Sequence, residues 1–167
     1  MFRTTGDFLT CWGEHVRDTE KVFQKLTDRA LSQSMSKDQR TLGRLGWHIV
    51  LTSPTMMREA RMPAKDPAGA DVVPEHAAVI LEGYRQMSEQ LTLYVRTKMA
   101  DGDLLEAVPM YGESWSRGQV LFAIMAHEIH HRGQMTVLMR QAGLAVPGVY
   151  GPAREEWSQF GMPEPAI

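Results

Sequence analysis

Residues 116–143 read SRGQVLFAIMAHEIHHRGQMTVLMRQAG, and this stretch decides the fold. At about 100° per residue, Val120, Ile124, His127, Glu128, His131, Met135 and Leu138 fall within one sector of a helix. Ser114 or Ser116 is placed to cap its start. Gly143, with Pro147 beyond it, predicts an end near Ala142. His130 falls outside the apolar sector, toward its flank. The segment is too long and too periodic for a strand. A long amphipathic helix carrying three histidines is therefore the anchor for the rest of the chain.

Working outward, three more segments repeat the helical period. Phe8, Cys11, Trp12, His15, Val16, Thr19, Phe23 and Leu26 share a face, which predicts a first helix from about Thr5 to Ser32. Asp38 is a candidate cap for a second, with Leu42, Leu45, His48, Ile49, Thr52 and Met56 on one stripe. Pro54 lies inside it and is expected to kink it or close its last turns. Pro63 to Pro74 reads as a crossover loop. Pro74 suits the first position of a third helix, whose stripe is Ile80, Gly83, Tyr84, Met87, Leu91 and Tyr94. Asp101 to Glu113 predicts at most a small extended segment. The sequence thus gives an all-α four-helix bundle with a long crossover between helices two and three. Past Val146 comes an irregular tail, with Trp157 and Phe160 as expected anchors and helical turns over Pro152 to Gln159.

Bulk properties narrow the function. With 167 residues the chain is expected to form a single domain over residues 1–167. A formal net charge of -2 and scattered Lys and Arg exclude a dedicated nucleic-acid surface. No apolar run reaches the roughly 20 residues needed to cross a bilayer, and no signal peptide is evident. The single cysteine, Cys11, excludes an intrachain disulfide and fits a reducing, cytoplasmic setting. It lies on an apolar face and is expected to be inert core.

The chemistry sits at residues 127–134. Residues four apart on a helix face the same way, so His127 and His131 point into one volume. Two buried imidazoles cost free energy if charged and need partners if neutral. A shared metal ion satisfies both. A third ligand should come from a facing helix. Spacing leaves His15 and His48 both open, with His48 preferred because the second and fourth helices each carry the ligand near mid-length; His76, at a helix start, ranks last. Three neutral imidazoles would leave an open coordination position, as in reactive rather than structural sites. Glu128 is a candidate catalytic carboxylate, able to orient or deprotonate a bound water. It is equally a supporting carboxylate or a partner for Arg132 or another base. Arg132 reads as solvated. Residues 127–131 also spell the H-E-x-x-H pattern of zinc peptidases. That reading needs a downstream ligand, Glu155 or Glu156, and it lacks the extended pattern because Gln134 and Val137 stand where Gly and His would. It is the weaker one.

Leu45-Gly46-Trp47-His48, His127-Glu128-Ile129-His130-His131-Arg132-Gly133-Gln134 and Arg140-Gln141-Ala142-Gly143-Leu144 with Pro147 together resemble the DinB family. Val149-Tyr150-Gly151-Pro152 with Trp157 and Gly161 extends the likeness over essentially the whole chain. The family comprises damage-inducible bundle proteins unrelated to the DNA polymerase that shares the name. The resemblance implies a bundle often paired as a homodimer and one divalent metal, zinc or nickel, held by His48, His127 and His131. It also implies small-molecule chemistry, since relatives in the wider superfamily are thiol-dependent transferases and isomerases using a low-molecular-weight thiol. The competing expectation is a non-catalytic metal-binding stress-response module that dimerises.

Overall fold

The computed structural model describes residues 2–163 and residue 166. Four helices make up most of it: α1 (Thr5–Phe23), α2 (Leu42–Glu59), α3 (Ala77–Lys98) and α4 (Arg117–Gln141). A two-stranded hairpin, β1 (Ala107–Met110) and β2 (Glu113–Ser116), precedes α4. Short 3-10 turns occupy Asp28–Ser32, Asp101–Leu105 and Arg154–Phe160. The expected all-α bundle is what the chain forms. No helix among the described residues is long and apolar enough to cross a membrane.

The helices pack in the ring order α1–α3–α2–α4, so α1 and α2 are diagonal to one another, as are α3 and α4. The connections over residues 24–41 and 99–116 must therefore cross the end of the bundle, and both are long. Buried aromatic and aliphatic side chains fill the centre, among them Phe8, Trp12, Phe23, Trp47, Tyr84 and Met87. Close approach of α3 to α2 depends on Gly83. A Cβ there would lie 2.9 Å from the Trp47 ring.

Several boundaries differ from the sequence expectation. The first helix stops at Phe23, not Ser32; residues 28–32 continue as a 3-10 turn that still buries Ala30 and Leu31. Thr41, not Asp38, caps α2 by accepting the Arg44 amide. Pro54 does not end that helix, which runs on to Glu59. The third helix starts at Ala77 rather than at Pro74, and its first amide is held by the Asp28 carboxylate at 2.8 Å. Ser116 is the cap of α4, in a reciprocal capping box with Gln119. Gly143, at φ 75, terminates it as expected.

The small extended segment is a complete β-hairpin. Met110 pairs with Glu113, and Tyr111 and Gly112 form a two-residue turn with φ of 50 and 85. Two successive positive φ values mark the turn geometry whose twist matches that of paired strands. Val108 and Met110 point inward, while Tyr111 projects from the tip. In the tail, Trp157 is only half-buried and Phe160 is exposed, so Phe160 is not an anchor. Val149 packs against the core, and polar contacts add to the hold on the tail. The Glu156 carboxylate accepts the amides of Gly148 and Ala153, each at 3.0 Å, and Tyr150 lies over the Arg132 guanidinium at 5.1 Å.

Candidate metal centre

The buried arc of α4 has two edges, and the chemistry divides between them. One edge carries His127 and His131 toward α2, where His48 meets them. The other carries Glu128 and Arg132 toward α1 and α3. A helical projection places all four in or beside one sector but does not say which neighbour each edge faces.

At the first edge, one ring nitrogen from each of His48, His127 and His131 lies within 4.8 Å of the others. The Nε2 atoms of His127 and His131 are 3.1 Å apart. Two imidazole nitrogens bound to one ion at 2.0–2.1 Å with a tetrahedral angle would be about 3.4 Å apart, so the spacing suits a shared metal. His48 stands edge-on to both rings, with centroids 5.0 and 4.6 Å away. The Gln134 amide sets one tautomer: its oxygen accepts from His131 Nδ1 at 2.8 Å while its nitrogen donates to His130 Nε2 at 3.2 Å. His131 Nε2 is thereby left as a lone pair aimed at His127. Burial pushes His48 and His127 down to about 4, with the Arg40 charge and neighbouring histidines adding to the effect, and it lowers His131 as well. Three converging, unprotonated imidazoles are a donor set fitted to a divalent transition metal. His48 and His127 are half-buried and His131 is buried, so the group lies at the bundle's surface, not at its centre.

At the second edge, Glu128 is 1% exposed and fully engaged. Its Oε2 is 2.8 Å from His15 Nε2 and accepts from Tyr84 Oη at 3.0 Å; its Oε1 accepts from Ser53 Oγ at 3.1 Å. Burial and the Glu128 carboxylate push the Tyr84 hydroxyl well above its ordinary range. Arg132, expected in solvent, is 2% exposed and donates to Thr19 Oγ1 at 2.7 Å. The spacing of His15 alone could not separate it from His48. The structure gives it a carboxylate partner in the core, away from the triad. His130 is exposed on the flank, and His76 pairs with Asp28 at 2.8 Å at the start of α3. Cys11 is exposed, not core. Glu155 and Glu156 do not join the histidines: Glu155 lies 3.8 Å from Arg140, and Glu156 holds the tail.

Comparison with known proteins agrees with this architecture. The DinB family model matches residues 1–165. The chain belongs to the DinB family. It is 39% identical over 167 residues to the uncharacterized protein YrdA of Bacillus subtilis strain 168, covering all of both chains. A DinB-like protein from Bacillus cereus ATCC 10987 superimposes with a TM-score of 0.86 at 37% identity, over 90% of this chain and 100% of that one. A second DinB-like structure, YjoA from Bacillus subtilis, shares the fold at TM-score 0.66 and 16% identity, over 88% of this chain and 99% of that one. In DinB terms, this chain combines the family bundle with three histidines able to hold a metal ion.

Proposed function

We propose that the protein is a metal-dependent enzyme acting on small molecules, with one zinc or nickel ion held by His48, His127 and His131. The observation that carries this reading is the convergence of three unprotonated imidazoles, with no carboxylate among them, at a surface open to two clefts. Such a donor set leaves the bound ion its full double charge and an open position. When bound, that ion would lower the pKa of a coordinated thiol or water and hold it beside an electrophile. Thiol transfer from a low-molecular-weight thiol is the reaction type we favour. The residues around it have distinct tasks. Gln134 orients His131, and Arg40 adds positive charge at the approach. Glu128 is read as a positioning residue, because both its oxygens are occupied inside the core. The peptidase reading is disfavoured, since Glu155 and Glu156 have other partners.

We read the chain as a cytoplasmic homodimer that pairs through the outer face of α4. Phe122 and Ile129 are exposed there, on the side of the helix turned away from the bundle, where a partner would cover them.

Metal analysis of untagged protein tests the central reading. One ion per chain is expected, falling to near zero in His48→Ala and His131→Ala. Stoichiometry unaffected by those substitutions would remove the site. Assays of metal-loaded protein against a panel of thiols and electrophiles then separate an enzyme from a metal-binding module without catalysis.

A further inference from the structure

The histidine triad lies on the divide between two clefts of about 530 Å3 each. His131 borders the first, with Gln39, Arg40, His130 and Gln134 beside it. His48 and His127 border the second, whose remaining wall includes Leu51, Met56, Trp115 and Ala123. His131 on the first cleft and His127 on the second have ring nitrogens 3.1 Å apart, so the clefts border one another across the triad. A molecule whose middle lies at the triad therefore reaches into both. Each volume is within the range of ordinary small-molecule sites.

The two ends differ in chemistry. Among the described residues, no acidic side chain lines either cleft. Arg40 borders the first cleft without a hydrogen bond or ion pair among the described residues, and Arg44 stands nearby on α2. The Arg40 charge reaches all three triad histidines. An exposed guanidinium beside uncharged amides is a ready partner for an anion, with the fork geometry that matches a carboxylate. The second cleft is walled largely by carbon. The β-hairpin supplies Trp115 and Tyr111 to it, and the positive-φ turn at Tyr111 and Gly112 places the Tyr111 ring at its rim. Aromatic walls of this kind take flat or branched apolar groups.

We propose that the site takes an amphiphilic organic anion, with its carboxylate in the Arg40 cleft and its aromatic or branched apolar end against Trp115. This rests on the reading of the triad as the reactive centre, which would place the bond to be changed between the two recognised ends.

Calorimetric binding tests it, using 4-phenylbutanoate, 4-phenylbutan-1-ol and butanoate on both metal-free and zinc-loaded protein. Phenylbutanoate is expected to bind at least tenfold more tightly than either the alcohol or butanoate, in both forms. Arg40→Gln should reduce the advantage over the alcohol to within about twofold, and Trp115→Ala the advantage over butanoate. Tyr111→Ser, at the exposed hairpin tip, provides a second apolar-side variant if Trp115→Ala folds poorly. Equal binding of acid and alcohol overturns the proposal. So does a preference for the acid that survives Arg40→Gln in the zinc-loaded protein, because the anion would then be sitting on the metal. Metal content is read separately: full occupancy without ligand selectivity defeats this inference alone, whereas a selective protein that takes up no zinc when it is supplied defeats the metal-centre reading.

Discussion

Glu128 Oε2 lies 2.8 Å from His15 Nε2, with both side chains 1% exposed, one residue along α4 from the triad histidine His127. The contact ties the helix that presents two of the three clustered histidines to α1, while Tyr84 and Ser53 tie the same carboxylate to α3 and α2. Removing one partner of such a buried arrangement strands the others. Glu128→Ala is expected to cost about 3–5 kcal/mol in urea unfolding while leaving roughly one metal bound per folded chain. Glu128→Gln should retain most of the turnover of any reaction found. A large loss of turnover at unchanged stability would instead make Glu128 the catalytic base.

Gln134 accepts from His131 Nδ1 at 2.8 Å and so selects which nitrogen is offered to a metal. Its side chain is on the exposed side of α4, where substitution should leave the fold unharmed. Gln134→Ala is predicted to weaken metal affinity about 10–100-fold, with thermal stability of the metal-free protein nearly unchanged. Competition with a chromophoric chelator measures it. Wild-type affinity in that variant would remove Gln134 from the site.

Acid should weaken the metal-free protein through the triad. His48 and His127 fall from 6.5 to about 4 on folding, so between these values the unfolded chain binds more protons than the folded one. The triad's contribution to stability is therefore full above about pH 6.5 and is lost as pH falls toward 4. The surface pair of His76 and Asp28 works oppositely at its basic limb, since its His is raised and its contribution fades as pH rises through that value. Urea midpoints of metal-free protein between pH 4 and 7 should rise with pH, and the slope should shrink in His48→Ala. A midpoint that is flat or falls over that interval would refute the burial argument.

Gly83→Ala forces a methyl group to 2.9 Å from the Trp47 ring. Overpacking of this kind costs about 1–3 kcal/mol. Because Trp47 immediately precedes His48, the displacement should also weaken metal binding, which a thermal melt and a metal titration on the same sample would reveal. An unchanged melting temperature would mean that α3 can shift without disturbing α2.

The number of helices, their faces and the His127–His131 pair were legible because each follows from a 3.6-residue period. The errors lie where the period was imitated or where the stabilising group is remote. Residues 24–32 keep burying Leu26, Ala30 and Leu31 after α1 has ended, so apolar spacing ran on past the helix. The start of α3 was misplaced because its first amide is satisfied by Asp28, far back in the sequence. Arg132 looked solvated because its burial depends on Tyr150 and Thr19, contributed by other segments. Family likeness singled out His48 over His15, which spacing alone left open. What separates them physically is the Glu128 carboxylate that His15 faces.

The hairpin over residues 107–116 has a further consequence for how such a protein diversifies. It walls the apolar cleft with Trp115 and Tyr111, yet it contributes none of the three histidines. A change in its length or in its tip residues reshapes one end of the site while the α2–α4 spacing stays as it is. The shape of that cleft can thus drift by revising a surface turn, without each new version having to rebuild the histidine cluster.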